Sequence, residues 1–164
     1  MEKKICQQCF QNKWTIYFHD FMDSNWNKNS YEKLITLKTV SDFWTVFDII
    51  QSKLSRGLFF FMKNEIFPKW DDSSNNNKYV FISIKIIKEN VAVFMENLLL
   101  KLVSESLSEV ENDNISGLSI SPKKNFCICK IWIKSSTILS KEYILSNFDI
   151  PSSLYHGDII CKES

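Results

Sequence analysis

The run Tyr79-Val80-Phe81-Ile82-Ser83-Ile84-Lys85-Ile86-Ile87 carries the clearest structural signal in the chain. Side chains of a β-strand point to opposite faces in turn, so Val80, Ile82, Ile84 and Ile86 fall on one side of this run. We therefore predict a strand with one wholly apolar face.

Shorter apolar patterns on both sides of this run indicate further strands. They are predicted at residues 13–19, 57–62, 118–121 and 126–133, with an extended piece at 34–37 and a terminal strand near Ile159. Residues 122–125, Pro-Lys-Lys-Asn, are typical of a turn and would join two of these strands as a hairpin.

Helical periodicity appears in three segments between the strands. One helix is predicted from residue 42 to about 54 with Ser41 as its N-cap, a second from about 89 to 107, and a short third after Ser140. Hairpin strands combined with a few helices indicate an α+β domain, with the helices on one face of an antiparallel sheet.

Length and charge restrict the class of protein. The 164 residues are most simply one domain, and the formal charge of +1 excludes a globally basic nucleic-acid binder, so any contact with a polyanion must be local. No apolar run is long enough to cross a bilayer, and the first residues lack an apolar signal region. We expect a soluble intracellular protein.

The five cysteines allow two interpretations. Cys6, Cys9, Cys127 and Cys129 could together supply four zinc ligands. Because Cys127 and Cys129 lie in an alternating strand, however, periodicity alone places them on one face. Reduced thiols, including the unpaired Cys161, are the favoured interpretation.

Two tryptophans lie in polar surroundings where a core residue is not expected. Trp26 follows Asp23-Ser24-Asn25, and Trp70 follows Phe67-Pro68-Lys69 and precedes Asp71. Indole is usually buried, so two indoles on separate polar loops indicate a flat ring bound between them. The adjacent carboxylate could contact the edge of that ring, which is the chemistry of binding a purine, above all a cationic one.

The two long helices carry more apolar surface than one core face requires. Trp44 lies off the stripe of its helix, and Leu100, Val103 and Leu107 form a second stripe nearly opposite the first. Deeper burial of both helices and an outward groove for a partner helix remain equally open from periodicity alone.

Several segments, taken in order, resemble the cap-binding translation initiation factor 4E family between roughly residues 10 and 158. The segments are Lys13-Trp14-Thr15-Ile16-Tyr17-Phe18, Trp26, Thr39-Val40-Ser41-Asp42-Phe43-Trp44, Ile66-Phe67-Pro68-Lys69-Trp70-Asp71-Asp72, Leu99-Leu100-Lys101-Leu102-Val103-Ser104-Glu105-Ser106, Ile115-Ser116-Gly117 and Ile131-Trp132. The resemblance implies a tail at 1–9 and a single cap-binding domain at 10–164.

The resemblance also implies an architecture and a ligand. The expected α+β fold is a curved antiparallel β-sheet with about three helices on its convex face and a pocket for the 7-methylguanosine cap of messenger RNA on its concave face. Trp26 and Trp70 would stack on the guanine, which methylation at N7 makes cationic. Asp71, where the family has Glu, would accept hydrogen bonds from the guanine edge.

Four lysines are expected to bind the cap triphosphate. Lys123 matches a phosphate-binding Arg of the family, and Lys78 matches another basic position. The family's second phosphate-binding Lys corresponds to Ile128, for which Lys124 or Lys130 would substitute. Arg56 is the only arginine, so these phosphate contacts would be point charges without bidentate forks.

On the opposite side, Val40, Trp44 and Leu100 match the positions where this family receives a Tyr-x-x-x-x-Leu-hydrophobic helix. The expected partners are capped messenger RNA and an initiation factor 4G-like scaffold or a 4E-binding protein. The implied function is cap binding and scaffold recruitment in translation initiation. The alternative is a translational repressor, or an interaction module that lacks scaffold recruitment or cap binding.

The sequence favours a binding protein over an enzyme. Ser116-Gly117-Leu118-Ser119-Ile120-Ser121 lacks the second glycine of a nucleophile elbow, and no phosphate-loop or metalloprotease motif occurs. We expect no catalytic residue, no cofactor and no metal, in a cytoplasmic monomer that does not associate with membranes.

Overall fold

A computed structural model describes residues 8–69, 79–155 and 157–163. The strands are Cys9–His19 (β1), Tyr31–Thr39 (β2), Leu58–Lys63 (β3), Tyr79–Ile87 (β4), Ile115–Pro122 (β5), Phe126–Lys134 (β6) and Ile160–Glu163 (β7). They form one curved antiparallel sheet in the order β2-β1-β3-β5-β6-β4-β7. The predicted bounds of β4 are confirmed, whereas the predicted extended piece at 34–37 is the centre of a longer strand.

The described residues contain three α-helices, Val40–Ile50 (α1), Val91–Val103 (α2) and Lys141–Asn147 (α3). Their buried side chains form one apolar cluster with Val80, Ile82, Ile84 and Ile86 of β4. We call this side of the sheet the helix face. The predicted period-two alternation of β4 and the expected α+β architecture are confirmed.

The opposite side, which we call the open face, carries a second and more aromatic cluster. Its buried members are Tyr17, Tyr31, Leu58, Phe60, Met62, Tyr79, Phe81 and Trp132. The Trp132 Nε1 donates a hydrogen bond to Ser119 Oγ at 3.1 Å, which satisfies the one polar atom of that buried indole. No helix packs on this cluster within the described residues, so it forms the floor of the concave side.

The start of α1 corrects the predicted N-cap. Thr39, and not Ser41, occupies that position, because its side chain accepts a hydrogen bond from the Asp42 N–H. The Asp42 carboxylate accepts in return from the Thr39 N–H, which completes a capping box. The helix ends at Ile50, and residues 51–56 continue as turns.

The end of α2 explains why the predicted helix was too long. The Ser106 N–H donates to the Lys101 carbonyl and the Glu105 N–H to the Leu102 carbonyl, which is the hydrogen-bond pattern of a Schellman motif. Glu105 takes the left-handed conformation of that motif, with φ at 55°. This position is usually glycine, so the sequence carried no stop signal there.

The prediction of a second apolar stripe on α2 is wrong in part. Val103 and Leu107 are buried in the cluster on the helix face, and Leu107 lies beyond the end of the helix. Only Leu100 of that stripe is partly open to solvent. The chain turns at Glu105, so residue 107 does not continue the helical spacing of α2.

Two further predictions concern membrane-spanning segments and the cysteines. Among the described residues, no helix is both long enough and apolar enough to span a membrane. Cys127 and Cys129 face the core as their alternation predicts, and no group of three or more potential metal ligands occurs in the part of the chain that is described. Cys6, the first residue of the suggested zinc set, lies outside the described residues.

Candidate functional site

A cavity of about 320 Å³ lies on the open face near one end of the sheet. It is formed by the loop between β1 and β2, by β3, and by the β5–β6 hairpin. Its lining residues are Phe21, Trp26, Leu58, Ser119, Ser121, Pro122, Lys123, Ile128 and Lys130. We call it the first cavity.

Trp26 stands at the mouth of the first cavity with 45% of its surface exposed. The loop that carries it is shaped by side chains that accept neighbouring backbone N–H groups. Asp20, Asp23 and Asn25 each accept from the N–H two residues further on, at 2.8–2.9 Å. These Asx turns give a polar loop without regular structure a defined path.

The indole of Trp26 stacks on the imidazole of His19, with ring centres 4.0 Å apart and planes inclined by 2°. His19 is fully buried at the end of β1, and its Nε2 lies 2.8 Å from the Asn25 carbonyl oxygen and 3.1 Å from Ser30 Oγ. Tyr31 contacts the indole edge-on. A flat ring has two faces, and His19 covers one of them, so a planar ligand has the other available.

Lysines form the polar wall of the first cavity. Lys123 is exposed in the hairpin turn, where its N–H donates to the Phe126 carbonyl, and Lys130 is half-buried on β6. Burial lowers the pKa of Lys130, and the positive charges of Lys123 and Lys162 lower it further. A bound anion would relieve this repulsion, so the wall is suited to phosphate.

The structure brings together some of the predicted cap-site residues. Trp26, Lys123 and Lys130 line the first cavity, whereas Lys124 lines a neighbouring cavity beside Lys123. Trp70, Asp71 and Lys78 lie outside the described residues.

The residues predicted to form the partner groove lie on the helix face of the sheet. Trp44 on α1 is 39% exposed and packs edge-on against Phe43 and Phe47. Val40, the first residue of α1, and Leu100 of α2 are both partly buried. Each of the three therefore presents apolar surface to solvent on the side of the molecule away from the first cavity.

Sequence reasoning missed His19 and Phe21. Side chains alternate between the two faces along β1, so His19 lies on the same face as Tyr17. The face to which His19 points was therefore predictable, although its contact with Trp26 was not. Phe21 is 55% exposed, and its position between Asp20 and Met22 in a polar loop is the same kind of signal that singled out Trp26.

Comparison with known proteins gives consistent matches to one family. The model of the family described as eukaryotic initiation factor 4E matches residues 9–149. Eukaryotic translation initiation factor NCBP of Arabidopsis thaliana is 32% identical over 113 residues, which are 67% of this chain and 50% of that protein. Isoform 4E of Capsicum annuum is 29% identical over 136 residues, covering 77% of this chain and 65% of the relative.

The chain thus spans about half to two thirds of the length of these relatives. Among solved structures, the complex of C. elegans eIF4E-3 with the 4E-binding protein Mextli and a cap analog superimposes with a TM-score of 0.68 at 20% identity. That match covers 79% of this chain and 76% of the other. A schistosome eIF4E complexed with m7GpppA and 4E-BP gives a TM-score of 0.69 at 24% identity, covering 86% and 78%. These structures share the fold.

Proposed function

The chain belongs to the eukaryotic initiation factor 4E family, and from this premise we propose that it binds the 7-methylguanosine cap of messenger RNA and recruits a partner for translation initiation. The family resemblance of the sequence motifs is thereby confirmed. In this proposal the protein acts in the cytoplasm by binding alone, without catalysis.

One observation carries the cap-binding proposal: Trp26, Lys123 and Lys130 line the same cavity. N7-methylated guanine is a cationic flat ring, and its attraction to an indole face exceeds that of a neutral base. The triphosphate that follows the ring is a compact polyanion, which matches two lysines a short way along the same cavity. A stacking face beside cations is the arrangement that a cap nucleotide requires.

The remaining predicted contacts complete the proposal. Trp70 would supply the second stacking face, Asp71 would accept from the guanine edge, and Lys78 and Lys124 would add to the phosphate contacts. Asp is one methylene shorter than the Glu of the family, so we propose a relaxed preference for guanine over other methylated purines. Support for these roles comes from the sequence motifs.

The partner side of the proposal depends on Trp44. Solved structures of the same fold include complexes with 4E-binding proteins. The sequence motifs are what support a partner-binding role for Trp44, Val40 and Leu100 on this chain. Partial exposure of an indole on a helix is typical of a docking surface. A repressor that binds the cap but refuses a scaffold remains the second candidate, because it would use this same surface for other partners.

The experiment is a titration of intrinsic fluorescence with 7-methylguanosine triphosphate and with unmethylated GTP. The wild type should show quenching and should bind the methylated nucleotide more tightly. Trp26→Ala should lose at least about fivefold in affinity, since stacking on an aromatic side chain is worth about 1–3 kcal/mol per base. The matched control is Trp44→Ala, because it removes another partly exposed indole on the other side of the sheet.

A second arm of the titration addresses the phosphates. Affinity should fall from the tri- to the di- to the monophosphate, and this dependence should flatten in Lys123→Gln/Lys130→Gln and in high salt. Full affinity in Trp26→Ala, or equal affinity for methylated and unmethylated nucleotides, would contradict the proposed function.

A further inference from the structure

A second cavity, of about 560 Å³, adjoins the first and is strongly basic. Its lining residues are Phe21, Arg56, Lys88, Pro122, Lys123 and Lys124, of which four are cationic and none is acidic. Phe21, Pro122 and Lys123 line both cavities, so the two are continuous along the hairpin turn.

The sheet topology explains why these cations meet. β1 ends where β3 begins, with His19 opposite Leu58, and β4 ends beside the hairpin turn, with Ile87 opposite Phe126. The connections that leave this end of the sheet carry the loop of Phe21, the turn of Arg56, the turn of Lys88 and the hairpin turn of Lys123 and Lys124.

The turn of Arg56 and the side chain of Lys88 both lie near one buried residue, Cys127. The Cys127 Sγ donates to the Ser55 carbonyl at 3.7 Å, which ties the Arg56 turn to β6. Burial raises the pKa of Cys127, and the charge of Lys88 beside it acts in the opposite direction. The exposed Arg56 Nη2 donates to the Ser52 carbonyl at 3.4 Å.

Two acidic side chains in the loop of Phe21 accept backbone hydrogen bonds. The Asp20 carboxylate accepts the Met22 N–H at 2.9 Å, and the Asp23 carboxylate accepts the Asn25 N–H at 2.8 Å. Four cations gathered around one concave surface repel each other, and a chain of phosphates would offset that repulsion at regular intervals. An exposed aromatic ring among such cations is the arrangement by which proteins bind single-stranded nucleic acid.

We propose that the second cavity binds the first nucleotides of the RNA chain that follow the cap, with Phe21 stacking on a base and Arg56 and Lys88 contacting phosphates. This inference rests on the proposed function, since it places the RNA chain where the first cavity opens past Lys123. A cap nucleotide alone would occupy the first cavity and leave Arg56 and Lys88 unused. Single-stranded RNA is the occupant because the second cavity offers both a stacking surface and several phosphate contacts.

The experiment compares 7-methylguanosine triphosphate with a capped pentaribonucleotide in the full chain. The ratio of the two affinities reports the contribution of the RNA chain separately from that of the cap. In the wild type the capped pentaribonucleotide should bind roughly tenfold tighter at low salt, with a steeper salt dependence. Arg56→Gln/Lys88→Gln should abolish most of this gain and reduce the salt slope by about 1.4, while affinity for the cap nucleotide stays unchanged.

A matched control is Lys33→Gln/Lys38→Gln, which removes the same charge from exposed positions on β2, the far edge strand of the sheet. It should keep the wild-type ratio. Phe21→Leu should lower the ratio and Phe21→Trp should retain it, because stacking requires a flat ring. This pair separates stacking from simple apolar contact.

The outcomes distinguish this inference from the proposed function. An unchanged ratio in Arg56→Gln/Lys88→Gln, with normal cap affinity, overturns the RNA path and leaves cap binding intact. A loss of the ratio in the β2 control as well would show that net charge, and not the second cavity, is responsible, which also overturns it. If the wild type binds no cap nucleotide but binds the uncapped pentaribonucleotide through Arg56 and Lys88, the proposed function fails and the RNA site stands.

Discussion

His19 shows how a single side chain can prepare a binding residue on a loop. Its ring is buried, its Nε2 contacts the loop backbone at Asn25, and its face supports the indole of Trp26. The other ring nitrogen, Nδ1, has no hydrogen-bond partner within the described residues. The imidazole contacts Trp26 through its flat face. An indole that is already held in place loses less conformational entropy when a ligand binds.

We expect His19→Ala to weaken binding of 7-methylguanosine triphosphate by roughly five- to tenfold, because Trp26 loses the ring that orients it. His19→Phe should keep affinity within about twofold, since a phenyl ring restores the stack. Fluorescence titration below the unfolding temperature of each variant measures both effects. Equal losses in the two variants would mean that the hydrogen bonds of His19, and not its stacked face, set the position of Trp26.

At the scale of secondary structure, the ends of the helices depend on side-chain hydrogen bonds. Asp42 accepts from the backbone N–H of Lys38 and of Thr39, both at 2.9 Å. The hydrogen bond from the Lys38 N–H lowers the pKa of Asp42 most. Burial opposes this effect, and the hydrogen bonds from Thr39 and the charge of Lys38 lower the pKa further. The ionised carboxylate also lies at the positive end of the dipole of α1.

A lowered pKa in the folded state gives a definite pH dependence. The stabilisation is complete above the ordinary carboxyl pKa, near 4, and is lost as the pH falls through the lower pKa of the folded protein. Asp42→Asn should therefore reduce the free energy of unfolding by about 0.5–1 kcal/mol at pH 7, and the deficit should vanish in strong acid. Urea unfolding at several pH values measures it.

The same helix supplies the control for Asp42. Asp48 is exposed in the last turns of α1, where a negative charge gains nothing from the helix dipole, so Asp48→Asn should be neutral or slightly stabilising. A deficit in Asp42→Asn that persists unchanged in acid would show that side-chain shape, and not charge, accounts for the effect.

At the scale of the whole molecule, the sheet separates two surfaces. The two cavities lie at the open face and at one end of the sheet, whereas Trp44 lies on a helix packed against the opposite face. Residues of β4 alternate between the two, with Val80 and Ile82 in the core beneath the helices and Phe81 in the aromatic floor. Binding at one surface therefore leaves the other open.

Trp44→Ala should abolish capture of a Tyr-x-x-x-x-Leu-hydrophobic peptide without changing affinity for the cap nucleotide. Indole groups partly exposed at a docking surface commonly contribute 2 kcal/mol or more, which is about thirtyfold in affinity. The matched control is Ile49→Ala, since Ile49 is exposed on the same helix outside the predicted groove. Peptide binding measured by calorimetry that survives in Trp44→Ala would place the partner surface elsewhere.

The sequence predicted the layers of this fold because periodicity reports burial directly. Alternation in residues 79–87 identified β4, and helical spacing identified α1 and α2. The ends of those helices were less predictable. They depend on which hydrogen bonds form, as at Thr39, and on a left-handed residue that is Glu105 and not the usual glycine.

The candidate site likewise combines features that the sequence predicts with contacts that it does not predict. The polar surroundings of Trp26 and the cations of the hairpin turn were visible along the chain, because an exposed indole and adjacent lysines are local features. The sequence by itself thus determined the two faces of the sheet and the family, whereas the roles of the expected binding residues stay predictions. Only the tertiary structure could stack His19 on Trp26, or bring Arg56 and Lys88 beside Lys124. Those residues belong to separate connections, and their meeting depends on where antiparallel strands begin and end, which no local pattern records.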